Sequence, residues 1–128
     1  MTERQFQQQV LNLATFYGWR AYHTHDSRRS QPGFPDLVLI RGPELIFAEL
    51  KTAKGRVRTE QAEWITDLSR VHVAVHNARA AAERLATPTL ELPAVDVYLW
   101  RPADFDELHE RLARGRHRQR VLYREEAA

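Results

Sequence analysis

Residues 33–51 read GFPDLVLIRGPELIFAELK, and the two apolar runs on either side of Gly42-Pro43 decide the fold. FPDLVLIR and ELIFAELK are each mostly apolar on both faces, the pattern of neighbouring interior strands. Glycine at the first central position of a two-residue turn supplies positive φ, and proline accepts negative φ at the second, which predicts a type II′ hairpin. That turn pairs Arg41 with Glu44. Counted back equally along both strands, the pairing sets Asp36 opposite Glu49. Opposed residues of an antiparallel pair share a face with Cα atoms about 4.5–5.5 Å apart, and strand alternation puts Lys51 on the same face. Phe34, Val38, Ile40, Leu45 and Phe47 line that face too, so a charged cluster sits at the edge of an apolar surface.

Upstream, Thr2 and Gln5 form a capping pair before Phe6, Val10, Leu13 and Tyr17, which recur at helical spacing until Gly18 stops them. Trp19 to His25 alternates like a strand, and the polar stretch DSRRSQPG breaks it. Downstream, KTAKGRVR is a basic loop, after which Thr59 caps a helix beginning EQAEW. Trp64, Leu68, Val71, Val75, Ala78, Ala82 and Leu85 step by four and three without a glycine or proline, predicting one helix from about Glu60 to Ala86. The alternation in RVHVAVH offers a competing strand at Val71 to Val75. TPTLELPA reads as a linker, VDVYLWR as a strand, and Pro102 opens a last helix that Gly115 ends. The expected architecture is α/β: helix, three-stranded meander, helix, strand, helix, in one domain over residues 1–128.

Two carboxylates directly opposed repel each other, and burial sharpens the penalty unless a positive charge lies between them. A divalent cation meets that need. The chain has no cysteine, which removes thiolate sites, disulfides and thiol nucleophiles, and the oxygen donors favour Mg²⁺ or Mn²⁺. Such a cation polarises a phosphoryl oxygen and lowers the pKa of bound water, while a nearby lysine neutralises developing charge. Phosphodiester hydrolysis requires these parts.

Pro35-Asp36, followed after twelve residues by Glu49-Leu50-Lys51, resembles the Pro-Asp…(Asp/Glu)-x-Lys signature of the PD-(D/E)xK nuclease superfamily. The wider string GFPDLVLIRGPELIFAELKTAKGRVRTEQAEW is similar to its VRR-NUC branch, which includes phage and bacterial Holliday-junction-resolvase-like proteins. The resemblance implies a restriction-endonuclease-like core and a metal-dependent DNA endonuclease, with structure-specific cutting of junctions or flaps within its range. It implies metal ligation by Asp36, Glu49 and the Leu50 carbonyl, catalysis by Lys51, an additional acid at Glu3 and a polar site residue at Gln61. Glu3 also stands where a helix dipole favours an acid, and Gln61 in a first turn where polar residues are common. The stretch from about Ser69 to Ala94 is longer than the link such domains usually carry. A catalytically silent DNA-binding module on the same fold and a small phosphate-ester hydrolase are the rival functions. Retention of Asp36, Glu49 and Lys51 argues against the first, and the absence of a glycine-rich phosphate loop against the second.

At 128 residues, 43% hydrophobic and 28% charged, the chain has room for one modest core and no machinery beyond one site. Net charge is only +2, yet 17 of the 19 basic residues are arginine, the side chain suited to forked contact with phosphate. Arg28, Arg29, Lys54, Arg56 and Arg58 fall on the loops flanking the catalytic end of the hairpin and are the expected DNA contacts; Arg114, Arg116, Arg118 and Arg120 form a basic tail. His23 and His25 share a strand face as candidate ligands or bases, although no tetrahedral zinc set accompanies them. No apolar run approaches the roughly 20 residues of a membrane span, so the expected location is cytoplasmic, in a bacterium or a phage-infected host. A helix from 60 to 86 outruns so small a domain, which points to a homodimer joined along its apolar seam.

Overall fold

The computed structural model describes residues 1–24, 29–85 and 92–114. Helix α1 spans Glu3–Phe16 and opens on the reciprocal Thr2–Gln5 cap, Gln5 N–H donating to Thr2 Oγ1 at 3.1 Å and Thr2 N–H to Gln5 Oε1 at 2.8 Å. It buries Phe6, Val10 and Ala14, one stripe at helical spacing. Strand β1 (Arg20–His23), β2 (Leu37–Arg41) and β3 (Glu44–Leu50) form the antiparallel meander. β4 (Ala94–Trp100) adds to β3 in parallel, giving a four-stranded sheet in the order β1-β2-β3-β4. A parallel neighbour requires a crossover, and helix α2 (Thr59–Arg84) supplies it. A 3-10 turn at Pro102–Asp104 then leads into α3, Phe105–Ala113.

The hairpin has the expected register: Arg41 pairs with Glu44, Leu37 with Ala48, and Gly42 takes φ +57°. On one face of the sheet Leu37, Leu39, Ile46, Ala48, Leu50 and Trp100 pack under α1 and α3, which bring Phe6, Val10, Leu108 and Leu112 to complete the core. The opposite face holds Val38 and Phe47, with Phe34 packed on Phe47, and α2 lies over it through Trp64 against Phe34. Trp19 belongs to the core and not to the first strand, which is shorter at both ends than the alternation implied. His25, Arg28 and the linker residues 86–91 lie outside the described residues, as do Gly115 and the tail arginines after Arg114.

α2 is one uninterrupted helix of 26 residues, about 39 Å long. The strand alternative for RVHVAVH fails because nothing breaks the helix there and its valines need no sheet partner. Arg58, not Thr59, occupies the N-cap position; its backbone N–H donates to Gln61 Oε1 at 2.9 Å, so the first turn is closed from within. His72 Nδ1 lies 2.6 Å from the Val95 carbonyl and 3.2 Å from Asp96 Oδ1, covering the outer edge of β4. Since Val95 stands one residue from the start of β4, the remaining turns of α2 run past the sheet. Val71, just before His72, is 48% exposed and Leu85, at the far end, 79%, whereas Val75 and Ala82 are half-buried, so the expected seam is open only in part.

The turn end of the hairpin is closed by charge. Glu44 accepts from Arg41 at 2.9 Å and pairs with Arg111 of α3 at 3.2 Å; Arg111 also reaches Asp96 at 2.6 Å. Arg41 stacks 4.2 Å above the Trp19 ring and donates to the carbonyls of Tyr17 and Leu112. Glu44 thus anchors two buried guanidinium groups, and removing one partner of a buried pair costs about 3–5 kcal/mol. Glu44→Ala should lower unfolding free energy by that order in urea denaturation.

Candidate metal and catalytic site

At the other end of the same hairpin the order of charges is reversed. Asp36 immediately precedes β2 and Glu49 is the penultimate residue of β3, and the register sets them side by side. Asp36 Oδ2 accepts the Leu50 backbone N–H at 2.8 Å, which orients its carboxylate across the strand end. Capping by Thr2 places Glu3 in the first turn of α1, above this corner of the sheet. Carboxylate oxygens of Glu3, Asp36 and Glu49 all lie within 4.8 Å of one another, the one such group of three metal-ligating side chains among the described residues. Oxygens facing each other across a Mg²⁺ ion stand about 4 Å apart, so modest closure suffices.

Glu49 is 1% exposed, and its Oε2 is buried without a hydrogen-bond partner. Its other oxygen, Oε1, accepts from Gln61 Nε2 at 3.3 Å. Burial above all, then the neighbouring Asp36, pushes the Glu49 carboxyl up to about 9, while Lys51 pulls the other way. Glu3 is raised for the same reasons, desolvation first and Asp36 second, with Lys51 and Arg58 opposing. A buried oxygen without a donor, two further hard oxygens and a carboxyl forced to hold a proton fit a divalent cation, whose charge removes the cause of each.

Lys51 is buried beside Glu49, and its backbone N–H bonds to the Trp100 carbonyl at 3.0 Å, continuing the β3–β4 pairing beyond the strand. The loop that follows is held by Arg101, whose Nη1 donates to the carbonyls of Thr52 and Gly55 at 2.7 and 2.8 Å. Lys54, Arg56 and Arg58 stand exposed on it, and Arg29 stands exposed on the other flank. His23 is half-buried on the Leu37 side of the sheet and is not part of the acidic group. No local pattern marks Arg101, nor Gly33, whose backbone abuts the start of α2. Both contacts join segments far apart in the chain.

The VRR-NUC domain family matches residues 2–82, from the cap of α1 to near the end of α2. The chain belongs to the VRR-NUC family. No curated protein and no solved structure gives a significant match. VRR-NUC membership carries a nuclease-type role in DNA processing, a hydrolase with DNA as substrate, within the PD-(D/E)xK nuclease-like superfamily. The mixed sheet and its three helices agree with the restriction-endonuclease-like fold. Among the described residues no helix is long and apolar enough to cross a membrane.

The raised Glu49 carboxyl has a measurable consequence. An acid whose folded pKa exceeds its ordinary value of 4.5 contributes stability that is full at low pH and is lost as pH rises toward about 9. The metal-free protein should therefore lose melting temperature over that window. A cation must displace the Glu49 proton, so Mn²⁺ should raise the melting temperature more at pH 8.5 than at pH 6. In Glu49→Gln both the alkaline loss and most of the Mn²⁺ gain should disappear.

Proposed function

We propose that this chain is a DNA endonuclease dependent on Mg²⁺, with Mn²⁺ also competent, in which Asp36, Glu49, Glu3 and the Leu50 carbonyl hold the cation. The observation carrying this reading is the convergence of three carboxylates around the donorless Glu49 Oε2, at the end of the strand that bears Lys51. The bound cation supplies a Lewis acid for the phosphoryl oxygen and a lowered pKa for water. The chain's own groups do the rest. Lys51 places its ammonium beside the acids, where it balances their charge and meets the negative charge that develops on the phosphate. Gln61 holds one Glu49 oxygen and so leaves the other to face the site. Arg29, Lys54, Arg56 and Arg58, with Arg28 from outside the described residues, take the phosphates on either side of the cut.

Cutting at branched structures, junctions or flaps, is the specificity proposed, on the resemblance to junction-resolving relatives. A homodimer joined through the exposed stripe of α2 would set two sites on one branched DNA. Val71 and Leu85, open to water along that helix, support it.

Asp36→Ala and Glu49→Ala should each cut cleavage of a labelled four-way junction more than about 100-fold, beyond what loss of an outer metal partner gives. Their affinity for the same DNA should hold at fixed salt, because the basic loops remain. Full activity in either variant removes the site. Lys51→Ala should keep Mn²⁺ binding and slow the single-turnover step; a change in DNA affinity alone would make it a phosphate contact instead.

Sedimentation equilibrium at micromolar protein should give a dimer for the wild type and a monomer for Val71→Glu/Leu85→Glu. A monomeric wild type ends the dimer proposal.

A further inference from the structure

Gly33 stands three residues before Asp36, in a segment that folds over the sheet and meets the first turn of α2. Its φ is +84°, and a methyl group at its Cα would lie 2.4 Å from the Glu60 carbonyl carbon, 2.5 Å from its oxygen and 2.6 Å from the Gln61 nitrogen. These are backbone atoms, so no side chain can swing aside to make room. The segment is pressed onto α2 from both sides of the glycine. Trp64 Nε1 donates to the Pro32 carbonyl at 3.1 Å, and the Trp64 ring meets Phe34 edge-on at 5.0 Å. Pro35, fully buried, then fixes the entry into Asp36.

We infer that Gly33 is a positioning residue of the hydrolytic site: its bare backbone seats the Asp36 segment on α2 closely enough for Gln61 to reach Glu49. This rests on the metal site proposed above. An ordinary van der Waals contact begins near 3.4 Å, whereas the closest approach here would be 2.4 Å, so a methyl forces a displacement of about 1 Å. The Gln61–Glu49 hydrogen bond is already 3.3 Å long and does not survive that shift. The same push acts on the backbone that delivers Asp36. Gly33 therefore sets the spacing between the segment that carries Asp36 and the helix that carries Gln61.

The test is a double-mutant cycle on the full chain with Gly33→Ala, Gln61→Ala and the pair, read by Mn²⁺ affinity and by single-turnover cleavage. Gly33→Ala should weaken Mn²⁺ about 10-fold, as loss of an outer-shell partner does, and slow cleavage up to about 100-fold, the effect of a 1 Å misplacement. DNA affinity should stay within about twofold of wild type. Because both substitutions break one contact, the double variant should be no worse than about threefold below the weaker single, where independent effects would multiply. Multiplicative losses, or a folded Gly33→Ala protein with wild-type Mn²⁺ affinity, would overturn the inference.

Should Gly33→Ala fail to fold, Trp64→Phe keeps the ring and removes only the bond to Pro32. It should weaken Mn²⁺ severalfold in the same direction, and unchanged affinity would count against the inference equally. Mn²⁺ affinity that shifts as stated in a protein whose wild type cuts no DNA would leave the positioning role standing and sink the nuclease reading instead.

Discussion

The register of one hairpin governs this molecule. Because Gly42-Pro43 pairs Arg41 with Glu44, the alternation of side chains sorts Leu37, Leu39, Ile46 and Ala48 to the core and Asp36 and Glu49 to the other face. A slip of one residue would exchange the two sets and lose core and acidic site together. The opposed acids are costly as they stand, and the fold neither separates them nor gives Glu49 a full set of donors. It confines them with a lysine and a third acid, leaving a proton or a cation to settle the charge.

The two ends of the hairpin make an instructive contrast. At the turn, Glu44 sits between Arg41 and Arg111, and Asp96 takes the far side of Arg111, so each buried charge meets an opposite one. At the open end the acids outnumber the one buried lysine. The first cluster pairs opposite charges, whereas in the second the buried Glu49 meets a half-buried Asp36 and an exposed Glu3 of its own sign, an excess that a cation from outside would balance.

What could be read from the sequence was local or periodic. The turn, the hairpin register, the Thr2–Gln5 cap and the long run of α2 each follow from residues close together in the chain, and the structure agrees, with the ladder running back to Leu37 and Ala48 and the Asp36 and Glu49 carboxylates close together just beyond it. Glu3 is legible only through family resemblance, since its approach to Asp36 depends on how α1 packs across the sheet. Gly33 carries no signal beyond its φ freedom, because the atoms that exclude a side chain there belong to Glu60 and Gln61. The alternation overstates the first strand because Trp19 fits it yet goes into the core. Thr59 has the residue type of a cap for α2, but its neighbour fills that role, since Arg58 has the extended backbone and Gln61 reaches back to it.

α2 meets the acidic corner with its first turn, where Gln61 donates to Glu49, and carries its other end past the sheet. Inserting or deleting a residue within its distal half turns everything that follows about 100° around the helix axis while Gln61 stays where it is. A lineage can therefore re-aim the surface at the far end of this helix by small insertions, and leave the acids, the lysine and the hairpin untouched.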